Sequence, residues 1–165
     1  MTWKRKAGLG VLLMGVVLVQ WSCDWTSGRG EDLSALRKLI CPQDSVPRPD
    51  ARVVGPAPAV LQSGSNLVLF PADAIHDQEQ GLQFELITWT DSVGVTLSSQ
   101  SNRQFKKDVT IVLSYAHCEP FEGEPQIVQR KKNGNPEKLK NAGYDNVTKL
   151  VFGTTKENSG FIIAH

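Results

Sequence analysis

Val109-Thr110-Ile111-Val112-Leu113-Ser114-Tyr115 decides the fold. Val109, Ile111, Leu113 and Tyr115 share one parity, so an extended chain turns them to one face, while Thr110, Val112 and Ser114, continued by Ala116 and Cys118, share a smaller and weakly polar face. From Ala59 onward the same period of two recurs in short apolar runs separated by turn residues, which predicts strands over 66–70, 83–89, 93–98, 109–115, 126–130, 149–152 and 161–164. Seven short strands with little helix between them indicate an all-β chain folded as an antiparallel β-sandwich over 59–165. Asn133-Gly134, lying between Gln126-Ile127-Val128 and Glu137-Lys138-Leu139, supplies two residues that tolerate positive φ and so predicts a hairpin.

The order of these elements resembles a known family. Leu67-Val68-Leu69-Phe70-Pro71-Ala72-Asp73-Ala74-Ile75 is similar to the strand, proline and small-residue opening of the ZU-five-like domain. Leu97-Ser98-Ser99-Gln100-Ser101-Asn102-Arg103-Gln104-Phe105, leading into the strand at Val109, and the closing Ser159-Gly160-Phe161-Ile162-Ile163-Ala164 follow in the same order. The family occurs in ankyrins, netrin receptors, tight-junction scaffolds and bacterial envelope proteins. The resemblance covers 59–165 and implies an immunoglobulin-like sandwich that serves as a protein-interaction or structural module, with no catalytic residues to carry over.

Ahead of the sandwich, Lys4-Arg5-Lys6 followed by an apolar stretch of 13 residues, Ala7 to Val19, reads as a signal peptide over 1–22. The stretch is shorter than the roughly 20 residues a membrane-spanning helix needs. Gln20-Trp21-Ser22-Cys23 resembles the lipobox of bacterial lipoproteins, which implies that Cys23 is diacylated and becomes the first residue of an exported, membrane-anchored protein on the periplasmic or outer face of the envelope. Residues 23–58, rich in Gly, Ser, Pro, Asp and Arg, read as a linker. Within it, acids at the start, Arg37 and Lys38 at the end, and Leu33, Leu36 and Ile40 at helical spacing predict one short helix over 31–40, docked on the sandwich. With Cys23 acylated, Cys41 and Cys118 are an even pair in an oxidising compartment, and a disulfide is expected; two free thiols are the alternative.

Charge and motif content narrow the chemistry. Removing Lys4, Arg5 and Lys6 from the 18 basic residues leaves 15 against 17 acidic ones, too balanced for the broad positive field that nucleic acid selects. Asp73, His76, Asp77 and Glu79 have metal-ligand spacing, but they sit in a loop where such side chains ordinarily face water. His117-Cys118-Glu119, if it ends a strand, turns its neighbours to opposite faces and cannot converge on one ion. The chain has no Gly-x-Ser-x-Gly elbow, and its Gly8-Leu9-Gly10 run lies inside the signal, so neither an enzyme nor a cofactor is expected. Arg130, Lys131, Lys132, Lys138 and Lys140 flank the Asn133-Gly134 turn and read as a solvated hairpin tip.

The expectation is therefore a non-enzymatic envelope lipoprotein that reaches a partner protein through a sheet edge or loop face. A small-ligand or glycan-binding module is the other reading. It requires Trp89, Tyr115 or Tyr144 to be presented at a concave site.

Overall fold

The chain divides into two units, Met1–Glu31 and Asp32–His165. A computed structural model describes residues 36–41, 45–101, 103–131 and 135–165, all within the second unit. The signal segment 1–22, Cys23 and the central Asn133-Gly134 of the hairpin lie outside the described residues.

Eleven strands form among the described residues: β1 (Asp50–Val53), β2 (Ala59–Ser63), β3 (Asn66–Phe70), β4 (Gln83–Thr88), β5 (Gly94–Ser99), β6 (Val109–Ser114), β7 (Gln126–Arg130), β8 (Pro136–Lys138), β9 (Lys140–Asp145), β10 (Leu150–Thr155) and β11 (Gly160–Ala164). They make two antiparallel sheets, a six-stranded one ordered β1-β4-β5-β11-β7-β8 and a five-stranded one ordered β2-β3-β6-β10-β9. The β-sandwich expected from the alternating pattern is present, with its inner faces closed on each other. Leu61, Val68, Ile111, Leu113 and Val151 come from the smaller sheet and Leu86, Val95, Ile127, Phe161 and Ile163 from the larger; all are fully buried. Phe105, delivered by the loop before β6, completes a ring cluster with Phe70 and Phe84 at centroid distances of 5.3 to 5.9 Å.

Two buried polar bridges cross between the sheets. The Ser63 and Thr88 hydroxyls lie 2.7 Å apart, and the Thr155 hydroxyl donates to Oε1 of Gln129 at 2.8 Å. Each bond satisfies groups that would be costly to bury alone, and each is made only when the sheets sit in this register. The sandwich is closed laterally where the chain passes from one sheet to the other: through 54–58 between β1 and β2, and through the buried Leu139 between β8 and β9. On the first side Asp50 accepts the Gln62 amide at 2.8 Å, tying the two edge strands together.

Two expectations are corrected. The helix over 31–40 does not extend through its described residues: 36–41 are non-helical, and Lys38 forms an antiparallel bridge with Ala164 of β11. The linker over 23–58 is not all tether, because β1 lies inside it and pairs with β4 along Asp50↔Leu86 to Val53↔Gln83. Tertiary pairing to an open stretch of β11 outweighs the weak preference of a ten-residue helical pattern.

Phe105→Ala is expected to lower the unfolding free energy by about 3 kcal/mol or more in urea titrations, because it opens a cavity among three rings. Asp50 titrates below the ordinary carboxylate range, chiefly because the Gln62 amide donates to it; burial, the next largest effect, opposes this, and the Arg52 guanidinium beside it lowers it further. Its native pKa lies below its unfolded value, so this contact stabilises fully above the unfolded value and is lost as pH falls through the native one. Asp50→Asn should therefore destabilise the chain at neutral pH, and the gap to wild type should close in urea titrations repeated toward pH ~3.

Candidate functional site

Two regions of the sandwich carry features beyond a closed core. The first is the end of the molecule where the chain enters. Here β5 begins only at Gly94; Val93 just before it still accepts the Ile163 amide at 2.8 Å, but its pairing with β11 goes no further. That leaves the last residues of β11 open on one side, and residues 37–39 fill the gap as a short strap. The Arg37 and His165 amides and carbonyls exchange bonds at 2.9 Å in both directions, the Leu39 amide donates to Ile163, and the Leu39 carbonyl accepts the Val93 amide at 3.1 Å. Leu39 and Cys41 are buried while Ile40 points outward, the alternation of a strand. Above the strap, the Trp89 indole lies on Gly94 and Gly160. A Cβ on Gly94 would come within 2.7 Å of the Phe161 carbonyl oxygen and 2.8 Å of the indole, so that position requires glycine, and a Cβ on Gly160 would press on the ring at 3.0 Å. Trp89 donates to Thr96 at 2.8 Å, and Lys38 Nζ sits 5.9 Å from its centroid while pairing with Asp91 at 2.8 Å.

The strap ends in Cys41, which is disulfide-bonded to Cys118. The expected pair is thus formed, and it joins the strap in the larger sheet to the turn after β6 in the smaller one. It does so in a different geometry from the one expected. β6 stops at Ser114, the Cys118 amide donates back to the Tyr115 carbonyl at 3.0 Å, and a turn rather than a strand carries Cys118. His117 therefore converges with both sulfurs instead of pointing away, and the Cys41, His117 and Cys118 ligand atoms lie within 4.8 Å of one another. Phe121 separates two shallow hollows here. One, of about 410 Å³, is bordered by Leu39, Cys41, His117, Glu119 and His165; the other, of about 170 Å³, by Tyr115, Asn146 and Lys149. Burial is the main cause that raises the Tyr115 phenol above its usual range, and its hydroxyl donates to Asn146 at 3.0 Å.

The second region is the outer face of the smaller sheet. The register places Leu67 opposite Val112, Val112 opposite Phe152, and Phe152 opposite Gly143, an apolar row crossing β3, β6, β10 and β9. Val60 opposite Leu69 extends it, and Leu150 lies on the same face. Val60 is 44% and Phe152 42% exposed, with Leu67, Leu69, Val112 and Leu150 half-buried. β2, β3, β6 and β10 carry no charged residue on either face. The larger sheet differs: Glu85, Arg130 and Lys138 stand on its strands.

The remaining sequence candidates resolve as ordinary contacts. Asp73 pairs with Lys107 at 3.7 Å, Asp77 with Lys106 at 4.0 Å and Glu79 with Arg103 at 3.9 Å, so the acids of the 73–79 loop face the cations of the loop before β6. Lys131 pairs with Glu137 across the hairpin, whose arms β7 and β8 are in register from Val128↔Lys138 to Arg130↔Pro136. Sequence reasoning looked to an edge or loop face and did not single out this apolar sheet face. The signal was present in Leu67-Val68-Leu69-Phe70, which is apolar at both parities and so has no polar side to give to water.

No protein-family model matches this chain, and no curated protein matches it with statistical significance.

Removal of the Cys41–Cys118 bond opens a loop with a sequence separation of 77 residues. Cys41→Ser with Cys118→Ser should cost about 4.5 kcal/mol by the loop-closure relation, read as a lower urea midpoint together with a steeper slope, because the uncrosslinked unfolded chain exposes more surface.

Proposed function

We propose that this chain is a non-enzymatic cell-envelope lipoprotein, exported by residues 1–22 and anchored through an acylated Cys23, whose ZU-five-like sandwich serves as a protein-interaction or structural module. The observation that carries the reading is the uncharged, largely apolar outer surface of β2, β3, β6 and β10. A soluble domain seldom leaves Val60, Leu67, Leu69, Val112, Leu150 and Phe152 contiguous and facing water unless something covers them. The apolar centre with polar flanks, Lys140 and Asp145 on β9 and Gln62 on β2, is the anatomy of a protein contact.

The aromatic residues support the same reading over a ligand-binding one. Tyr115 is buried in the core, Trp89 is spent covering two glycines, and Tyr144 stands half-exposed on an edge strand with Glu124 as its neighbour. Tyr115 borders the hollow of about 170 Å³ but is only 4% exposed, so it offers no open ring face for a sugar to stack on. The strap adds a mechanical argument. Because 37–39 are hydrogen-bonded into the sheet and Cys41 is covalently tied to Cys118, tension from an anchor upstream would enter the body of the sandwich directly.

Chemical cross-linking in intact cells, followed by recovery of the chain from the membrane fraction, tests the proposal. One envelope protein should co-enrich with the wild type and be lost when Phe152 and Val60 are changed to lysine. Recovery of the wild-type chain alone, at normal abundance, would remove the adaptor reading.

A further inference from the structure

The turn after β6 gives Cys118 and its neighbour His117 a common direction, and the strap brings Cys41 to meet them. A tetrahedral zinc-class ion, with Zn–S near 2.3 Å and Zn–N near 2.0 Å, sets its ligand atoms roughly 3.5 to 3.8 Å apart. The Cys41, His117 and Cys118 ligand atoms already lie within 4.8 Å of one another. The two cysteine Cα atoms are 5.2 Å apart, a separation that suits a disulfide and also leaves room for two thiolates to part by side-chain rotation and share an ion. Cys41 is buried, Cys118 half-buried and His117 exposed, so two anionic ligands would be shielded while the third approaches from the solvent side. The hollow of about 410 Å³ beside them is bordered by Glu119 and His165 and gives access to the same point.

We infer that in the dithiol form of the chain Cys41, His117 and Cys118 bind one thiophilic divalent cation of the zinc class. The fourth coordination position opens toward the hollow. Binding releases the two thiol protons to solvent and uses an unprotonated ring nitrogen of His117, so the two thiolates balance the dication. The disulfide and the cation are alternative occupants. A disulfide donor that takes two electrons from the sulfurs forms the Cys41–Cys118 bond, is itself reduced to two thiols, and frees the cation. In either state the strap remains tied to the turn after β6, first by coordination and then covalently. The chain would thus hold its strap in place before oxidation is complete.

The test uses the full chain with Cys23→Ser, which leaves Cys41 and Cys118 as its only thiols. After reduction with a phosphine and removal of excess reagent under argon, Co²⁺ is added, followed by Zn²⁺. The expected result is one Co²⁺ per chain, with thiolate-to-cobalt charge-transfer absorption and the intense visible bands of tetrahedral cobalt, displaced by Zn²⁺. The disulfide form should give none of these. His117→Ala, altering an exposed side chain, should weaken binding by about tenfold or more. As a second measurement, Zn²⁺ should slow closure of the disulfide by oxidised glutathione in the Cys23→Ser chain and have less effect with His117→Ala. Absence of cobalt binding by the reduced chain, equal binding by the disulfide form, or affinity indifferent to His117→Ala would each overturn the inference. A reduced chain whose sheet circular dichroism is lost and not restored by Zn²⁺ would overturn it as well.

Discussion

The tie between Cys41 and Cys118 is the constraint on which this architecture turns. Residues 37–39 make only a few hydrogen bonds to β11 and Val93, far too few to offset the entropy of ordering a chain end by themselves. The covalent bond removes most of that difficulty by keeping the strap close to its place even in the unfolded chain. With the strap seated, β11 is paired along its length, Leu39 closes the core, and the two sheets gain a link that does not depend on side-chain packing. A sandwich of this size has a small margin of stability, so one such link is a large share of it.

Within that frame the two sheets have different tasks. Their inner faces meet in an aliphatic core with three packed phenylalanines, and the Ser63–Thr88 and Gln129–Thr155 bridges fix the relative setting of the sheets. Outside, the larger sheet carries charge and an indole laid over glycines, surfaces that are content in water. The smaller sheet carries leucine, valine and phenylalanine across four of its five strands, β2, β3, β6 and β10.

Much of this was legible in the sequence. The alternation from Val109 to Tyr115 found β6 and its buried face, and β3, β4, β5, β7, β10 and β11 were found by the same period. The cysteine count found the disulfide. β1 was hidden because Asp50-Ala51-Arg52-Val53 sits among prolines and charges, and as an edge strand it buries too little to show a pattern. β8 was read as the second arm of the Asn133-Gly134 hairpin, whereas β9 was hidden because Lys140 to Asp145 is exposed nearly throughout, its pairing set by backbone bonds to β10. The helix expected over 31–40 failed for a different reason. Leu36 and Ile40 do recur at helical spacing, but the residues that the fold buries, Leu39 and Cys41, lie two apart, and only the position of β11 reveals that choice. The convergence of His117 with the two sulfurs was not foreseen, because it depends on the turn after Tyr115 in place of a strand, which no local pattern announced.

The account stands most directly on whether the strap is part of the sheet. Amide hydrogen exchange on the oxidised chain, resolved residue by residue by NMR, measures this at the Leu39 and Arg37 amides, which donate to Ile163 and His165. Both should be protected, and Leu39 should exchange at a rate close to those of β11, with protection falling selectively at these two positions when the disulfide is reduced without metal. Exchange of Leu39 in the oxidised chain as fast as in an unstructured peptide would contradict the account, since the strap would then be a tether lying beside the sandwich.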